Sequence, residues 1–127
     1  MIDSVATVHS LRVACEAMDA AGVATLVAPR GFLVEDGGGN VSIEASPVHG
    51  PTEVARVLLE AVAGSQLSGA AVNGAPGLVM RDGDRVIGVA CITVDAELVT
   101  EIWLTLNPAK LQSWNRAAPV GPDPSQP

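Results

Sequence analysis

Aromatic residues are scarce in this 127-residue sequence, which has no tyrosine and only three aromatic side chains, Phe32, Trp103 and Trp114. The chain therefore offers no stacking platform for nucleic acid bases, which requires exposed aromatic rings. It also has no phenol that could serve as an acid, a base or an oxyanion donor. The core must be built from valine, alanine, leucine and isoleucine.

Basic residues are few, with 7 against 14 acidic residues and a formal net charge of −7. We therefore expect no direct binding to nucleic acid and none to a membrane, because the phosphate backbone and an anionic bilayer would repel the chain. The apolar run Val86–Val94 is far shorter than the roughly 20 residues that span a bilayer. The N-terminal region lacks the basic start and uninterrupted apolar stretch of a signal peptide. These features predict a cytoplasmic protein.

Cysteine is scarce as well. Cys15 and Cys91 lie far apart in apolar surroundings, and the sequence has no CxxC motif. His9 and His49 have no carboxylate at the spacing of metal ligands. We expect two reduced core thiols and histidines at the surface or at helix caps, with neither a metal site nor a cofactor.

The sequence predicts that the first half of the chain is mainly helical. Apolar residues at spacings of three and four predict helices over Ser4–Ala21 and Val23–Ala28, and a third that begins at Pro51 and ends at Gly64. Between them, two β-compatible runs flank three consecutive glycines and predict a hairpin, with arms at Gly31–Asp36 and Asn40–Ala45.

After Gly64 the apolar period changes to two, which predicts four consecutive strands separated by turn signals: Leu67–Asn73, Gly77–Arg81, Arg85–Asp95 and Glu97–Asn107. Early helices and late strands indicate an α+β fold with an antiparallel sheet. The strands are apolar on both faces, so the sheet needs a cover on each side. Helices can cover one face, and we expect a second copy of the chain or another domain on the other, with a homodimer favoured.

The C-terminal region divides in two. Pro108–Trp114 is compatible with a short helical turn, whereas four of the nine residues in Pro119–Pro127 are proline. We therefore expect one domain over residues 1–118 and a disordered proline-rich tail over residues 119–127.

Three short motifs follow one another along the chain: Asp36-Gly37-Gly38-Gly39, the run VNGAPGLV from Val72 to Val79, and Asn107-Pro108-Ala109-Lys110-Leu111. Over about residues 7 to 115 the sequence resembles the cone-shaped SnoaL-like fold of the nuclear transport factor two-like superfamily. Within it, the sequence is similar to the SnoaL-like C-terminal domain of a group of extracytoplasmic-function sigma factors. That resemblance implies three helices packed on a curved, mainly antiparallel sheet. Asn40 and Ala109 depart from the family's motifs, which have a basic and an acidic residue there.

The resemblance implies a non-enzymatic domain that modulates transcription through contacts with a sigma factor or RNA polymerase, or that binds an apolar small molecule. A chain of 127 residues has no room for the sigma regions that bind DNA and polymerase, so it is not expected to act as a sigma factor alone. Two interaction elements are implied, the glycine loop with Asp36 and the segment with Lys110. The alternatives are that the glycines only form a hairpin turn and that Asn107, Pro108 and Leu111 only end a strand and pack.

A second hypothesis is a small isomerase, cyclase or hydrolase with a carboxylate base in the cavity that such folds enclose between helices and sheet. Glu101 is the candidate base, Trp103 a wall of the pocket, and His49 or Asn73 a hydrogen-bond donor. Arg81 is a further candidate ligand-binding residue near a strand end. The alternative is that Glu101 faces solvent or a dimer interface and that Trp103 fills core.

Overall fold

The computed structural model describes residues 2–36 and 47–117 of the chain. In chain order, its elements are α1 (Ile2–Glu16), α2 (Ala20–Leu26), β1 (Val27–Asp36), β2 (Val48–His49), α3 (Pro51–Val62), β3 (Gln66–Val72), β4 (Ala75–Asp82), β5 (Arg85–Asp95), β6 (Leu98–Thr105), a 3-10 turn (Pro108–Leu111) and α4 (Gln112–Ala117). This order confirms the predicted α+β class, with helices on a mainly antiparallel sheet.

The six strands form one sheet in the order β2-β1-β6-β5-β4-β3. Every neighbouring pair is antiparallel except β1 and β6, which run parallel with Phe32 opposite Glu101 and Asp36 opposite Thr105. Because parallel strands end at the same side of a sheet, the last residues of β1 and β6 lie side by side. This pairing decides the geometry of the candidate site.

One face of the sheet is covered by α1, α2 and α3. The amphipathic helix α3 begins with Pro51, whose missing N–H is harmless in a first turn, and buries Val54 and Leu58 against the sheet. From the sheet side, Leu33, Ile102 and Leu104 are each at most 1% exposed. The helix side is therefore a closely filled apolar core.

The other face, which we call the open face, has a smaller core cluster made of four strand valines and one residue of the 3-10 turn: Val72, Val79, Val86, Val89 and Leu111. Trp114 of α4 packs against the same cluster. The chain's own C-terminal segment thus covers the β3–β5 part of this face. A second copy as the remaining cover stays a prediction.

The predicted helix over Ser4–Ala21 is too long. Helix α1 ends at Glu16 because Met18 takes a positive φ of 54°, which a continuing helix does not allow. Asp19 then caps α2, and its Oδ1 accepts a hydrogen bond from the Gly22 N–H at 3.0 Å. The second helix accordingly starts earlier than predicted, and Val27 already belongs to β1.

The first arm of the predicted hairpin is the end of β1, which pairs antiparallel with β2 through Phe32 and His49. The predicted second arm, Asn40–Ala45, lies outside the described residues, as do Gly37–Gly39 and the tail Pro119–Pro127. The predicted four-strand meander is confirmed. Its β3–β4 turn is made by Asn73 and Gly74, which both have positive φ, as a tight two-residue hairpin turn requires.

Candidate functional site

Two of the motifs found in the sequence meet in space. Asp36 ends β1, and Lys110 lies in the 3-10 turn that follows β6. The Lys110 Nζ is 2.6 Å from the Asp36 Oδ2, although the two residues are 74 positions apart in the chain. The Leu106 N–H also donates a hydrogen bond to the Asp36 carbonyl oxygen at 2.7 Å. The parallel pairing of β1 and β6 is the reason for this contact.

The segment Asn107–Leu111 holds Lys110 in place by local chemistry. The Asn107 Oδ1 accepts a hydrogen bond from the Ala109 N–H at 3.0 Å, and Pro108 occupies the first position of the turn. Leu111 is 3% exposed and anchors the turn in the open-face cluster. Asn107, Pro108 and Leu111 therefore have structural roles that leave the Lys110 ammonium at the surface.

Asn115 fixes the C-terminal segment to the sheet. Its Oδ1 accepts a hydrogen bond from the Val86 N–H at 2.7 Å, and its Nδ2 donates to the Val86 carbonyl oxygen at 3.1 Å. No motif in the sequence pointed to this residue. A side-chain amide that pairs with both backbone groups of a strand residue gives no sequence signal beyond an asparagine in a short helix.

A cleft of about 440 Å³, which we call the tryptophan cleft, lies on the open face beside the Asp36–Lys110 pair. It is lined by both tryptophans of the sequence and by side chains from β3, β5, β6 and the 3-10 turn: Val72, Asn73, Val89, Cys91, Trp103, Thr105, Lys110, Leu111 and Trp114. Trp103 is 48% exposed, so its indole offers apolar surface to a ligand in the cleft. Cys91 and Thr105 are lining residues that the sequence analysis missed.

Glu101 and Trp103 lie on the open face and not in the helix-covered interior. The alternation along β6 is clear, because Ile102 and Leu104 are buried under the helices and the residues between them are not. The Trp103 Nε1–H donates a hydrogen bond to the Glu101 Oε1 at 3.0 Å. Glu101 thus lies on the opposite side of the sheet from the cavity in which the sequence placed it, and its role as a base stays a prediction.

Two other predicted site residues, His49 and Arg81, lie away from Glu101 and from the tryptophan cleft. The ring of His49 packs against Phe32, with centroids 5.9 Å apart. Phe32 pairs with both His49 and Glu101, so β1 separates these two residues by two strand spacings, about 10 Å. Arg81 donates from Nη1 to the Ser68 Oγ at 3.1 Å and does not line the cleft.

Asn73 does line the cleft, with its Nδ2 3.9 Å from the Cys91 Sγ. The two thiols differ in environment. Burial, assisted by the charge of Glu16, raises the pKa of the Cys15 thiol to about 12, whereas Cys91 is only half-buried in the cleft wall. The structure thus brings four of the predicted site residues together in the cleft: Asn73, Trp103, Lys110 and Leu111. Asp36 is joined to them by its ion pair with Lys110.

In the described ranges, no group of three or more His, Cys, Asp or Glu side chains is placed to hold a metal ion. None of the helices over these same residues combines the length and the hydropathy that a membrane crossing requires.

No family model and no curated protein matches the sequence, but solved structures do. The chain is similar to the extracytoplasmic function sigma factor SigJ of Mycobacterium tuberculosis, with 27% identity over 86% of this chain and a TM-score of 0.65. It spans 44% of the SigJ chain. It also aligns with an NTF2-like protein of Burkholderia xenovorans LB400, at 19% identity, 92% and 96% coverage and a TM-score of 0.57.

A third similar structure is an LEH-like epoxide hydrolase of M. tuberculosis, at 14% identity, 92% coverage of both chains and a TM-score of 0.53. Identities this low show the fold alone. The resemblance to a sigma factor domain rests on SigJ and on the motifs that meet at the Asp36–Lys110 pair. The chain therefore has the SnoaL-like fold of the nuclear transport factor two-like proteins and resembles the C-terminal domain of the sigma factor SigJ.

Proposed function

We propose that this chain is a non-enzymatic regulatory domain that modulates transcription by binding a sigma factor or an RNA polymerase subunit through the tryptophan cleft. The observation that carries the proposal is the 2.6 Å contact between Lys110 and Asp36 at the rim of this cleft. It joins two motifs by which the sequence resembles sigma factor domains. The similarity to SigJ, at 27% identity, supports the same partner class.

The cleft has the chemistry of a protein-binding surface. Tryptophan is among the residues most enriched at binding hot spots, and Trp103 is half exposed at the cleft. The Asp36–Lys110 pair is exposed as well, and exposed ion pairs contribute only about 0–1 kcal/mol to folding. The ion pair can therefore break, and its two charged groups can contact a partner instead, at little cost in the stability of the fold. The net charge of −7 favours a basic partner surface.

The cleft volume of about 440 Å³ also falls in the range of small-molecule pockets, roughly 300–1,000 Å³. An apolar small molecule seated between the two tryptophans would occupy the surface that the partner needs. Such a ligand would therefore act as a competitor of the protein partner and would make the domain a sensor.

The alternative function, a small isomerase, cyclase or hydrolase, stays a prediction. It has less support from the geometry, because Glu101 lies on the open face in a hydrogen bond with a half-exposed tryptophan. A carboxylate base of this kind works best where an apolar enclosure excludes water.

The proposal can be tested by cross-linking, because Lys110 is the only lysine in the sequence. An amine-reactive cross-linker can then attach only to this residue and to the terminal amine. We expect Lys110 to cross-link to a purified sigma factor or polymerase core from the same host. Absence of any Lys110 cross-link to either partner, at concentrations where the two proteins co-sediment, would contradict the proposed surface.

Matched variants separate a partner contact from an internal one. Trp103→Ala should weaken capture of the partner by about 2 kcal/mol, roughly 30-fold, as at a hot spot. Lys110→Glu should also weaken capture, and the double exchange Asp36→Lys with Lys110→Asp should not restore it although the internal pair re-forms. Arg30→Glu makes the same charge change at an exposed position of β1 and should leave capture unchanged. Equal capture by all variants would refute the proposal.

The open face is also where a second copy of the chain would pack. If the surface serves self-association, the protein alone will sediment as a dimer and Trp103→Ala will convert it to a monomer. That result, combined with no capture of a sigma factor or polymerase, would replace the regulatory proposal with a homodimer interface.

A further inference from the structure

A second concave surface lies on the helix side of the sheet, between α1 and the β3–β4 hairpin. This groove has a volume of about 420 Å³, within the roughly 300–1,000 Å³ of ligand pockets. The motif VNGAPGLV, of which the tryptophan cleft uses only the first two residues, supplies one wall of the groove from Gly74 to Leu78. The groove therefore involves a part of the sequence that the proposed function does not use.

Apolar residues of two elements line the groove, Val5 and Val8 from α1 and Pro76 and Leu78 from β4. The exposed Gly69 of β3 lines it as well, and a Cβ placed on that residue would meet no atom within 4 Å. Small residues thus keep open a space that larger side chains in the same strand would fill.

Two polar side chains stand at one side of this apolar surface. His9 and Arg12 both line the groove from α1, where they share one helical face with Val5 and Val8 at spacings of three and four. The Arg12 Nε donates to the Glu16 Oε2 at 3.1 Å. Its two Nη groups have no hydrogen-bond partner in residues 2–36 and 47–117, and a guanidinium can bind a carboxylate through two parallel N–H donors.

We propose that this groove binds a small apolar molecule that carries one carboxylate. The carboxylate would accept hydrogen bonds from the Arg12 Nη groups and from the imidazole of His9, while a flat apolar body would lie beside Gly69, against the exposed Val5 and the half-buried Pro76. Although the chain as a whole is strongly acidic, the Arg12 guanidinium gives the groove a positive charge that an anion complements. The apolar lining of the groove excludes a highly charged ligand. The site is independent of the tryptophan cleft, which lies on the other face.

The test compares two probes with the same apolar body, the anionic 1-naphthylacetate and the neutral 1-naphthylacetamide, titrated into 15N-labelled protein and followed by amide chemical shifts. We expect the largest shifts at Gly69, Ala71 and Gly77, and an affinity for the acid roughly tenfold higher than for the amide, the factor that a 1.4 kcal/mol difference produces. Equal affinities, no binding at millimolar probe, or shifts confined to the tryptophan cleft would overturn the proposal.

Four variants locate the site. Arg12→Gln should lower the affinity for the acid about tenfold, to that of the amide, since it removes a charge-assisted hydrogen bond. Arg56→Gln is the matched control, because Arg56 has the same i,i+4 pairing with a glutamate on α3, away from the groove. Glu16→Gln should strengthen binding of the acid by releasing Arg12. Gly69→Val should abolish binding of both probes without unfolding, since its side chain fills open space. Equal effects of Arg12→Gln and Arg56→Gln would refute the assignment.

Discussion

Replacement by alanine should cost very different amounts of stability at two neighbouring residues of the C-terminal segment, Lys110 and Leu111. Leu111 is 3% exposed and joins the core cluster of the open face. The Lys110 side chain is 62% exposed and its ammonium pairs with Asp36. We therefore expect Leu111 to contribute mainly to the stability of the fold and Lys110 mainly to binding of the proposed partner.

The expected magnitudes follow from burial. A buried Leu→Ala change costs about 2–5 kcal/mol, and the lower half of that range applies to Leu111 because a short terminal segment can partly collapse into the space. Loss of an exposed ion pair costs about 0–1 kcal/mol, so Lys110→Ala should lower the free energy of unfolding by about 0.5 kcal/mol. With a urea m-value of about 2 kcal/mol/M, the midpoint should fall by about 1–1.75 M for Leu111→Ala and by about 0.25 M for Lys110→Ala.

Urea denaturation followed by tryptophan fluorescence measures both values, because Trp103 and Trp114 line the cleft beside the turn. Val13→Ala is a suitable control, since Val13 is 50% exposed and its truncation should change stability by less than about 0.5 kcal/mol. A Lys110→Ala midpoint as low as that of Leu111→Ala would show that the ion pair is part of the fold. The argument that Lys110 is available to a partner would then fail.

Two further predictions concern the cysteines and Asn115. Iodoacetamide should alkylate Cys91 in the native protein and spare Cys15, because burial raises the pKa of the Cys15 thiol to about 12 and only the thiolate reacts; mass spectrometry showing equal rates would contradict this. Asn115→Ala should destabilise the domain by about 1–3 kcal/mol in urea denaturation, since it leaves the buried Val86 N–H and carbonyl without their partners. A loss below about 0.5 kcal/mol would mean that water replaces the amide there.

The fold was largely predictable because its strongest signals are local. The proline at the start of α3 and its regular apolar stripe predicted that helix, and the turn signals predicted all four strands from β3 to β6. The end of α1 was not predictable, because a left-handed Met18 has no sequence signature. The parallel pairing of β1 with β6 was not predictable either, since it joins strands more than 60 residues apart by a choice that only tertiary packing makes.

The candidate site was predicted in parts. The residues Asp36 and Lys110 came from motifs of the resemblance, but their contact depends on the parallel strand pair and so could not be read from either motif. The alternation of Glu101 and Trp103 with buried residues was also predicted. Which face the helices cover was not, because both faces of β6 have apolar neighbours and periodicity alone does not rank them.

The division of residues between the two faces gives the catalytic alternative less support than the regulatory proposal. Under the helices, Leu33, Ile102 and Leu104 leave at most 1% of their surfaces exposed, so a carboxylate placed among these three residues would have to replace core volume. Both tryptophans and the only lysine lie on the open face instead. The indole surface and the opposite charges on the open face therefore support the proposed protein-binding role more than a catalytic one.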